Sequence, residues 1–460
     1  MAPAVLNESS VLSSVLYRSL GQKPPVIVKA AGHFLYTDEG QAIIDASSGA
    51  AVACIGHGNT QVKDAMSKQL DNISYIYSQF FTTPSTEKLT QMLTESTDNQ
   101  MSRVFVVSSG TEAVEAALKM ARQYFMELPE PQPERVRFIA RKQSYHGNTL
   151  GALSAGSHVA RKALYTSMLS TNISHVSPCY PYRDMQESET EEAYVARLAD
   201  ELDQEFQRVG PNIVCAFLAE TVSGGTLGCV PAVPGYFPAM KAVCEKYGAL
   251  LIMDEVMSGI GRTGTLHAWE QEGVVPDIQT IAKGLGGGYA PIGALLLNQR
   301  VVDILESGSQ VFAHSQTYQG HPLACAAALA VQTVIQEQNL IANVQELEPY
   351  LGTLLRKELG DHPNVGDVRG RGFFWGVEFV QDKNTKTPFP ASKQLAWRLH
   401  ATGVLPEYSI CLLPGNGTSD GKDGDHIIIS PPYNVTKEDI EMIVERTKRV
   451  VFDVLAQLAD

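Results

Sequence analysis

The sequence has no CxxC pair, no basic cluster, no internal repeat and no apolar run long enough to cross a bilayer. Its seven cysteines, at 54, 179, 215, 229, 244, 325 and 411, are scattered and odd in number. That pattern argues against a compact disulfide framework and suits thiols kept reduced. A spanning helix needs about 18 consecutive apolar residues. Against 50 acidic side chains stand 36 lysines and arginines, for a net charge of −14. Nucleic acid and anionic membranes are therefore not expected partners, and no metal is expected. Residues 1–22 lack a charged leader followed by a continuous apolar segment, and they are poor in arginine for a transit peptide. The terminal Gln457-Leu458-Ala459-Asp460 matches no common address. A cytoplasmic chain is expected, which makes triplets such as Asn72-Ile73-Ser74 and Asn434-Val435-Thr436 chance matches to a glycosylation site.

What is present is the composition of a globular chain: 460 residues, 44% hydrophobic and 19% charged. That length predicts two or three lobes. Residues 1–25 read as loosely structured and end in Pro24-Pro25. Short strands are predicted at 26–28 and 34–37, with Asp38-Glu39-Gly40 as a turn. A small-residue loop through Asp45-Ala46-Ser47-Ser48-Gly49 and Ile55-Gly56-His57-Gly58 leads into a helix over 60–70. Tyr75, Tyr77, Phe80 and Phe81 form an aromatic cluster suited to core packing or to a pocket wall, where Tyr77 is the candidate substrate contact.

Beyond residue 85, apolar runs of strand length at 104–107, 136–140, 213–219, 250–253, 278–282 and 294–297 alternate with helical stretches such as 111–127, 191–209 and 236–247. Continuously apolar strands separated by helices predict a mainly parallel sheet covered on both faces, an α/β architecture. Ligands of such sheets sit beyond the carboxyl ends of the strands. Residues 321–359 read as helical, 365–369 and 373–380 as strands, and 392–402 as a helix. A Gly/Asp-rich loop at 414–425, a strand at 427–430 and an amphipathic helix at 436–458 complete an α+β lobe.

Four features at strand ends carry chemistry. The run 278–282 ends in Lys283 and a glycine-rich loop, Gly284-Leu285-Gly286-Gly287-Gly288. An amine there is placed for desolvation, a lowered pKa and nucleophilicity. The run 250–253 ends in Asp254-Glu255, a costly place for a carboxylate unless a cation pairs with it. A protonated pyridine nitrogen is such a cation. Ser109-Gly110-Thr111-Glu112 has a capping-box spacing, and free N–H groups with small hydroxyls at a helix start form a phosphate site. Tyr145-His146-Gly147 offers an aromatic ring that can stack on a flat group. Singly, each is also an ordinary loop lysine, structural carboxylate, capped helix or packed aromatic. Together they are the equipment for pyridoxal 5′-phosphate.

At these residues the chain resembles the class III aminotransferases, the subgroup II family of fold type I pyridoxal-phosphate enzymes. The resemblance covers roughly residues 30–455. Its most specific part is Asp254-Glu255-Val256-Met257-Ser258-Gly259-Ile260-Gly261-Arg262-Thr263-Gly264, with Lys283 following 29 residues after Asp254. Thr317-Tyr318-Gln319-Gly320-His321-Pro322, Arg369-Gly370-Arg371-Gly372 and Ser430-Pro431-Pro432 add to it. The resemblance implies a large, mainly parallel α/β domain over residues 71–335 and a smaller α+β domain built from both chain ends, 1–70 and 336–460.

It further implies that Lys283 forms the Schiff base with the cofactor and that Asp254 pairs with the pyridine nitrogen. Tyr145 and Val256 would sandwich the ring, with His146 beside it. Ser109, Gly110 and Thr111 would bind the phosphate, with Thr317 reaching the phosphate of a partner subunit. Glu220 matches a family glutamate near the cofactor, but the proline that usually follows it is Thr221 here. A homodimer with shared active sites is implied, as is ping-pong transfer of an amino group from a primary amine or amino acid to a keto acid or other carbonyl acceptor.

The substrate end departs from the family. The arginine that often binds a substrate carboxylate, three residues before the Pro-Pro pair, is Ile428 here. Gly424-Asp425-His426 resembles the omega-amine and amino acid:pyruvate branch, whose mobile arginine lies in the preceding loop. There, Asp420-Gly421-Lys422-Asp423 offers only Lys422, a point charge rather than a bidentate fork. Where that branch often carries a tryptophan near Gly49, the chain has Ala50-Ala51. A roomy pocket touched by Ala51, Tyr77 and Lys422 is expected, taking a primary amine or bulky amino compound. Racemisation, amine-position mutation or decarboxylating transamination on the same scaffold, and a non-catalytic homologue, are the rival readings.

Overall fold

The computed structural model describes residues 13–17, 19, 21 and 23–459; of the loosely structured start expected over residues 1–25, residues 1–12, 18, 20 and 22 lie outside them. The first strands are β1 (Ile27–Ala31), β2 (Phe34–Thr37) and β3 (Ala42–Asp45). Next come β4 (Met101–Val107), β5 (Arg137–Arg141), β6 (Ile173–Val176), β7 (Val214–Glu220) and the short hairpin β8 (Val222–Ser223) and β9 (Val230–Pro231). Then follow β10 (Leu250–Asp254), β11 (Ile278–Ile281) and β12 (Gly293–Asn298). The C-terminal strands are β13 (Val365–Arg371), β14 (Phe374–Asp382), β15 (Thr387–Pro388), β16 (Ile410–Cys411), β17 (Leu413–Asn416) and β18 (Asp425–Ile429).

The central sheet has the order β4-β12-β11-β10-β7-β5-β6. Pairing is parallel throughout except around β12, which runs antiparallel to both β11 and β4. The continuous apolar runs are explained by burial on both faces. In β10, Leu250 and Ile252 face one core together with Ala117 and Ala121 of the helix Gly110–Glu127. Leu251 and Met253 face the other, against Leu202 of the helix Glu191–Val209 and Phe237 and Met240 of the helix Tyr236–Lys246. Alternation along each strand thus feeds two cores from one run.

The chain ends meet in a smaller sheet of order β1-β2-β3-β16, with β3 and β16 parallel. A further sheet runs β13-β14-β18-β17, and β15 pairs with β14. The helical stretch predicted over 321–359 is two helices, Pro322–Glu337 and Leu340–Leu359, broken at Asn339. Asn339 sits at φ +51°, a left-handed conformation that asparagine tolerates at helix ends. The loop expected over 414–425 begins instead as β17, hydrogen-bonded to β18, and its glycines serve the turn. Gly417, Gly421 and Gly424 all have positive φ. Core packing of the aromatic cluster is also corrected, because Phe80 and Phe81 are 73% and 65% exposed in this chain. No described helix is long and apolar enough to cross a membrane.

Candidate active site

Adjacent strands deliver the chemistry to one edge. Asp254 closes β10 and lies in register with Glu220, the last residue of β7, and with Thr280 of β11. Lys283 follows two residues beyond β11. Ser108 to Thr111 leave β4, and Tyr145 to Gly147 follow β5. The reversed β12 presents its amino end here, with Pro291 and Ile292. All of these segments line one cavity of about 640 Å³.

Asp254 is nearly buried and accepts three hydrogen bonds: from His146 Nδ1 (2.7 Å), Val256 N (3.0 Å) and Thr280 Oγ1 (3.2 Å). A carboxylate has about four acceptor positions, so one remains at the cavity wall. Glu220 is also buried and accepts from Tyr145 N (3.3 Å) and Gly224 N (3.2 Å). Burial raises its pKa; His146 opposes the shift and Asp254 adds to it. Thr221, where the family usually has proline, uses both groups that proline lacks. Its N–H donates to Asp254 O (3.2 Å) and its hydroxyl to Glu255 Oε1 (2.9 Å). Glu255 also accepts from Ala268 N, Trp269 N and Gln279 Nε2, tying the loop after β10 to the segment before β11 and to β11 itself.

Lys283 is half-buried at the cavity and has φ +48°, a strained conformation for a residue with a side chain. Burial lowers its pKa to about 8, while the charges of Asp254 and Glu220 oppose the shift. An appreciable fraction of its amine is therefore neutral at physiological pH, although the larger part stays protonated.

The helix Gly110–Glu127 points its amino terminus into the cavity. Ser109 Oγ accepts from Glu112 N (3.3 Å), and Glu112 Oε2 accepts from Ser108 N (2.8 Å). The first N–H groups of the helix have no helical acceptor and favour an anion. Two glycines shape this cradle. A Cβ on Gly110 would stand 2.6 Å from Val256 Cγ1, and one on Gly147, at φ +133°, would stand 2.2 Å from Thr111 Oγ1. Thr111 Oγ1 accepts from Asn148 N (3.0 Å) and Thr149 N (3.2 Å), locking the Tyr145 loop to the helix start. An anion cradle, an aromatic wall, a carboxylate with an open acceptor and an amine of lowered pKa fit pyridoxal phosphate.

The cavity thus gathers Lys283, Asp254, Glu220, Ser109, Gly110, Thr111, Tyr145, His146 and Val256. It does not gather the other four candidates. Thr317 is exposed on the outer surface, where its carbonyl accepts from Tyr75 Oη (2.9 Å). Tyr77 stacks edge-on against Phe80, also outside the cavity. Lys422 is exposed in a turn where its N–H donates to Asp420 Oδ1 (2.8 Å). Ala51 is buried with Val222, Cys229, Phe374 and Ile428, so within this chain Ala50 lines the wall instead. The backbone twist at Ser48 to Ala51, with positive φ at Ser48, Gly49 and Ala51, exchanges the two alanines. Sequence reasoning missed His158, Arg161, Thr226 and Met257, which also line the cavity. Arg161 lies in the four-residue helix Val159–Lys162, where no motif or periodicity marks it.

Comparison with known proteins agrees with this geometry. The family model "Aminotransferase class-III" matches residues 17–451. An aminotransferase of Gibberella zeae is 53% identical, over 97% of this chain and 88% of its own length. The crystal structure of a thermostable (S)-enantioselective omega-transaminase from Thermomicrobium roseum superposes with a TM-score of 0.86 at 34% identity, covering 94% of this chain and 93% of that one. An amine transaminase from an uncultivated Pseudomonas species, solved in its PLP-bound form, superposes with a TM-score of 0.87 at 31% identity, over 96% and 97% of the two chains. With its strand-end lysine and carboxylate on one cavity and this match along nearly its whole length, the chain belongs to the class III family of pyridoxal-phosphate-dependent aminotransferases.

Proposed function

We propose that the chain moves an amino group from a primary amine or amino acid donor to a keto acid or other carbonyl acceptor, with pyridoxal phosphate held at the cavity. The placement of Lys283 and Asp254 at neighbouring strand ends of one cavity carries this reading. Ser109, Gly110 and Thr111 would hold the phosphate, Tyr145 and Val256 would flank the ring, and Asp254 would accept from its nitrogen. When bound, the group supplies an electrophilic carbon and a ring that withdraws electrons. Lys283 would offer a neutral amine to that carbon, and its Nζ would hold or move a proton there. Asp254 would place its carboxylate at the ring nitrogen, and His146 orients that carboxylate. Ile428, Leu413 and Met257 provide an apolar wall that supports amine donors without a second charge.

A screen of amine donors with pyruvate as acceptor tests the reading, with Lys283→Ala as control. Strong preference for small dicarboxylic donors would overturn the roomy, apolar pocket. The lowered pKa sets a pH dependence with a definite sign. Only neutral lysine attacks a carbonyl, so cofactor uptake by the apoprotein should speed up as pH rises and level off above about 8. Stopped-flow absorbance reads this directly, and a rate still climbing at about pH 10, as for an unperturbed lysine, would contradict it.

A homodimer with shared active sites is supported by the exposed aromatic group of Tyr75, Phe80, Phe81 and Tyr318, which lies beside Thr317. Contiguous exposed aromatics mark association surfaces. Sedimentation at a monomer mass under assay conditions would exclude this. Seven free cysteines, six of them buried, support a reducing, cytoplasmic setting, and imaging of a fluorescent fusion in another compartment would exclude it.

A further inference from the structure

We infer that Arg161 is the carboxylate-recognition residue of this cavity, taking the place of the arginine absent at Ile428; this inference rests on the proposed amino-transfer reading. Among the described residues, Arg161 is the one arginine that lines the cavity with Lys283. Its guanidinium carbon lies 4.6 Å from the centroid of the Tyr145 ring. That stack is its one side-chain interaction among the described residues, since no carboxylate, carbonyl or hydroxyl bonds it. The contrast with the other arginines packed near the site is sharp. Arg141 donates to Glu220 O and Ser223 Oγ, Arg262 to Phe373 O and Pro431 O, and Arg369 pairs with Asp367 and Glu378.

A half-buried guanidinium over an aromatic ring, with no donor spent among the described residues, is preorganised for a planar anion. A second group points the same way. Thr226 is 3% exposed, its hydroxyl has no partner among the described residues, and it lines the same cavity. Thr226 also shares a small crevice with His158, three residues before Arg161 in the chain. The opposite wall is apolar at Ile428 and Leu413. Lys422 does not reach the cavity. The site therefore treats two substrate classes differently: keto acids and amino acids through Arg161, and amines without a carboxylate through the apolar wall.

A carboxylate of the substrate and the phosphate of the cofactor could both use a guanidinium, and the test separates them. Arg161→Gln in the holoenzyme is compared with wild type using pyruvate and propanal as acceptors, alongside cofactor retention on dialysis and calorimetric binding of propionate, which cannot react. Loss of a charge-assisted pair should raise the KM for pyruvate, and weaken propionate binding, by about 10- to 100-fold. The KM for propanal should stay within about twofold, because no charge is lost from that complex. Arg161→Lys should fall between, since a point charge replaces a fork. Unchanged pyruvate and propionate affinity would overturn the inference. So would equal loss with both acceptors accompanied by cofactor release, which would assign Arg161 to the phosphate or to holding Tyr145. Propionate binding that depends on Arg161 in a protein without turnover would retain the subsite and reject the transfer reading.

Discussion

Replacing Lys283 with alanine should lower the rate of amino transfer by about 10⁴-fold or more, since both the nucleophile and the positioned acid–base are lost together. Among the described residues no second lysine lines the cavity. The backbone strain at φ +48° and the burial that lowers the amine to about pH 8 serve this one side chain. Water or a buffer amine entering the vacated space would lack its orientation, and most of the loss lies there. Turnover with a primary amine and pyruvate measures the effect, with circular dichroism to establish that the variant is folded. Added methylamine should restore a small fraction of the rate by supplying the missing amine. Activity within about tenfold of wild type would remove Lys283 from the mechanism.

Asp254→Asn should lower the rate by about 10³-fold, a loss typical of removing one preorganised electrostatic group from an excluded site. The substitution is nearly isosteric, so packing is spared. Two effects then act together. The fixed negative charge opposite the ring nitrogen disappears, and with it the stabilisation of electron flow into the ring. The new amide also faces existing donors: Val256 N and Thr280 Oγ1 meet Oδ1, and His146 Nδ1 meets Oδ2. One of these must lose its acceptor to an N–H₂ group, at a cost of about 1–3 kcal/mol. The expected result is a folded, cofactor-binding protein with slow chemistry and a somewhat lower melting temperature. Single-turnover mixing with donor alone isolates the chemical step, and a rate within about tenfold of wild type would exclude the assigned charge.

Local pattern determined a good part of this protein. The doubly buried strands, the helices between them, the Ser109 cap and the strand-end positions of Asp254 and Lys283 all follow from short windows. The helix and strand periods and the phosphate-type turn are written within a few residues of each other. Long-range pairing decided the rest. The reversal of β12 depends on which edge the strand joins, and its apolar run reads the same in either direction. The break at Asn339 depends on one left-handed residue inside an otherwise helical pattern. Exposure of Phe80 and Phe81 is invisible in sequence because aromatic content does not say which surface is covered.

At the site the same division holds. Residues that close a strand were legible as candidates, because strand ends in a parallel sheet converge on one edge. The choice of Ala50 over Ala51 as wall rests on positive backbone angles at Ser48, Gly49 and Ala51, and Thr221 acquires its use only when Asp254 and Glu255 are folded beside it. Arg161 is the clearest case. Nothing in Val159-Ala160-Arg161-Lys162 distinguishes one of its two adjacent cations, yet folding sends Lys162 to the carbonyls of Ser154 and Gly156 and lays Arg161 on Tyr145 inside the cavity. Sequence alone therefore determined the fold class and the chemistry of the cofactor, which are carried by periodicity and strand-end position. Tertiary structure alone decided what surrounds the substrate, since that wall is assembled from separate segments running from Ala50 to Ile428, whose contacts no local window contains.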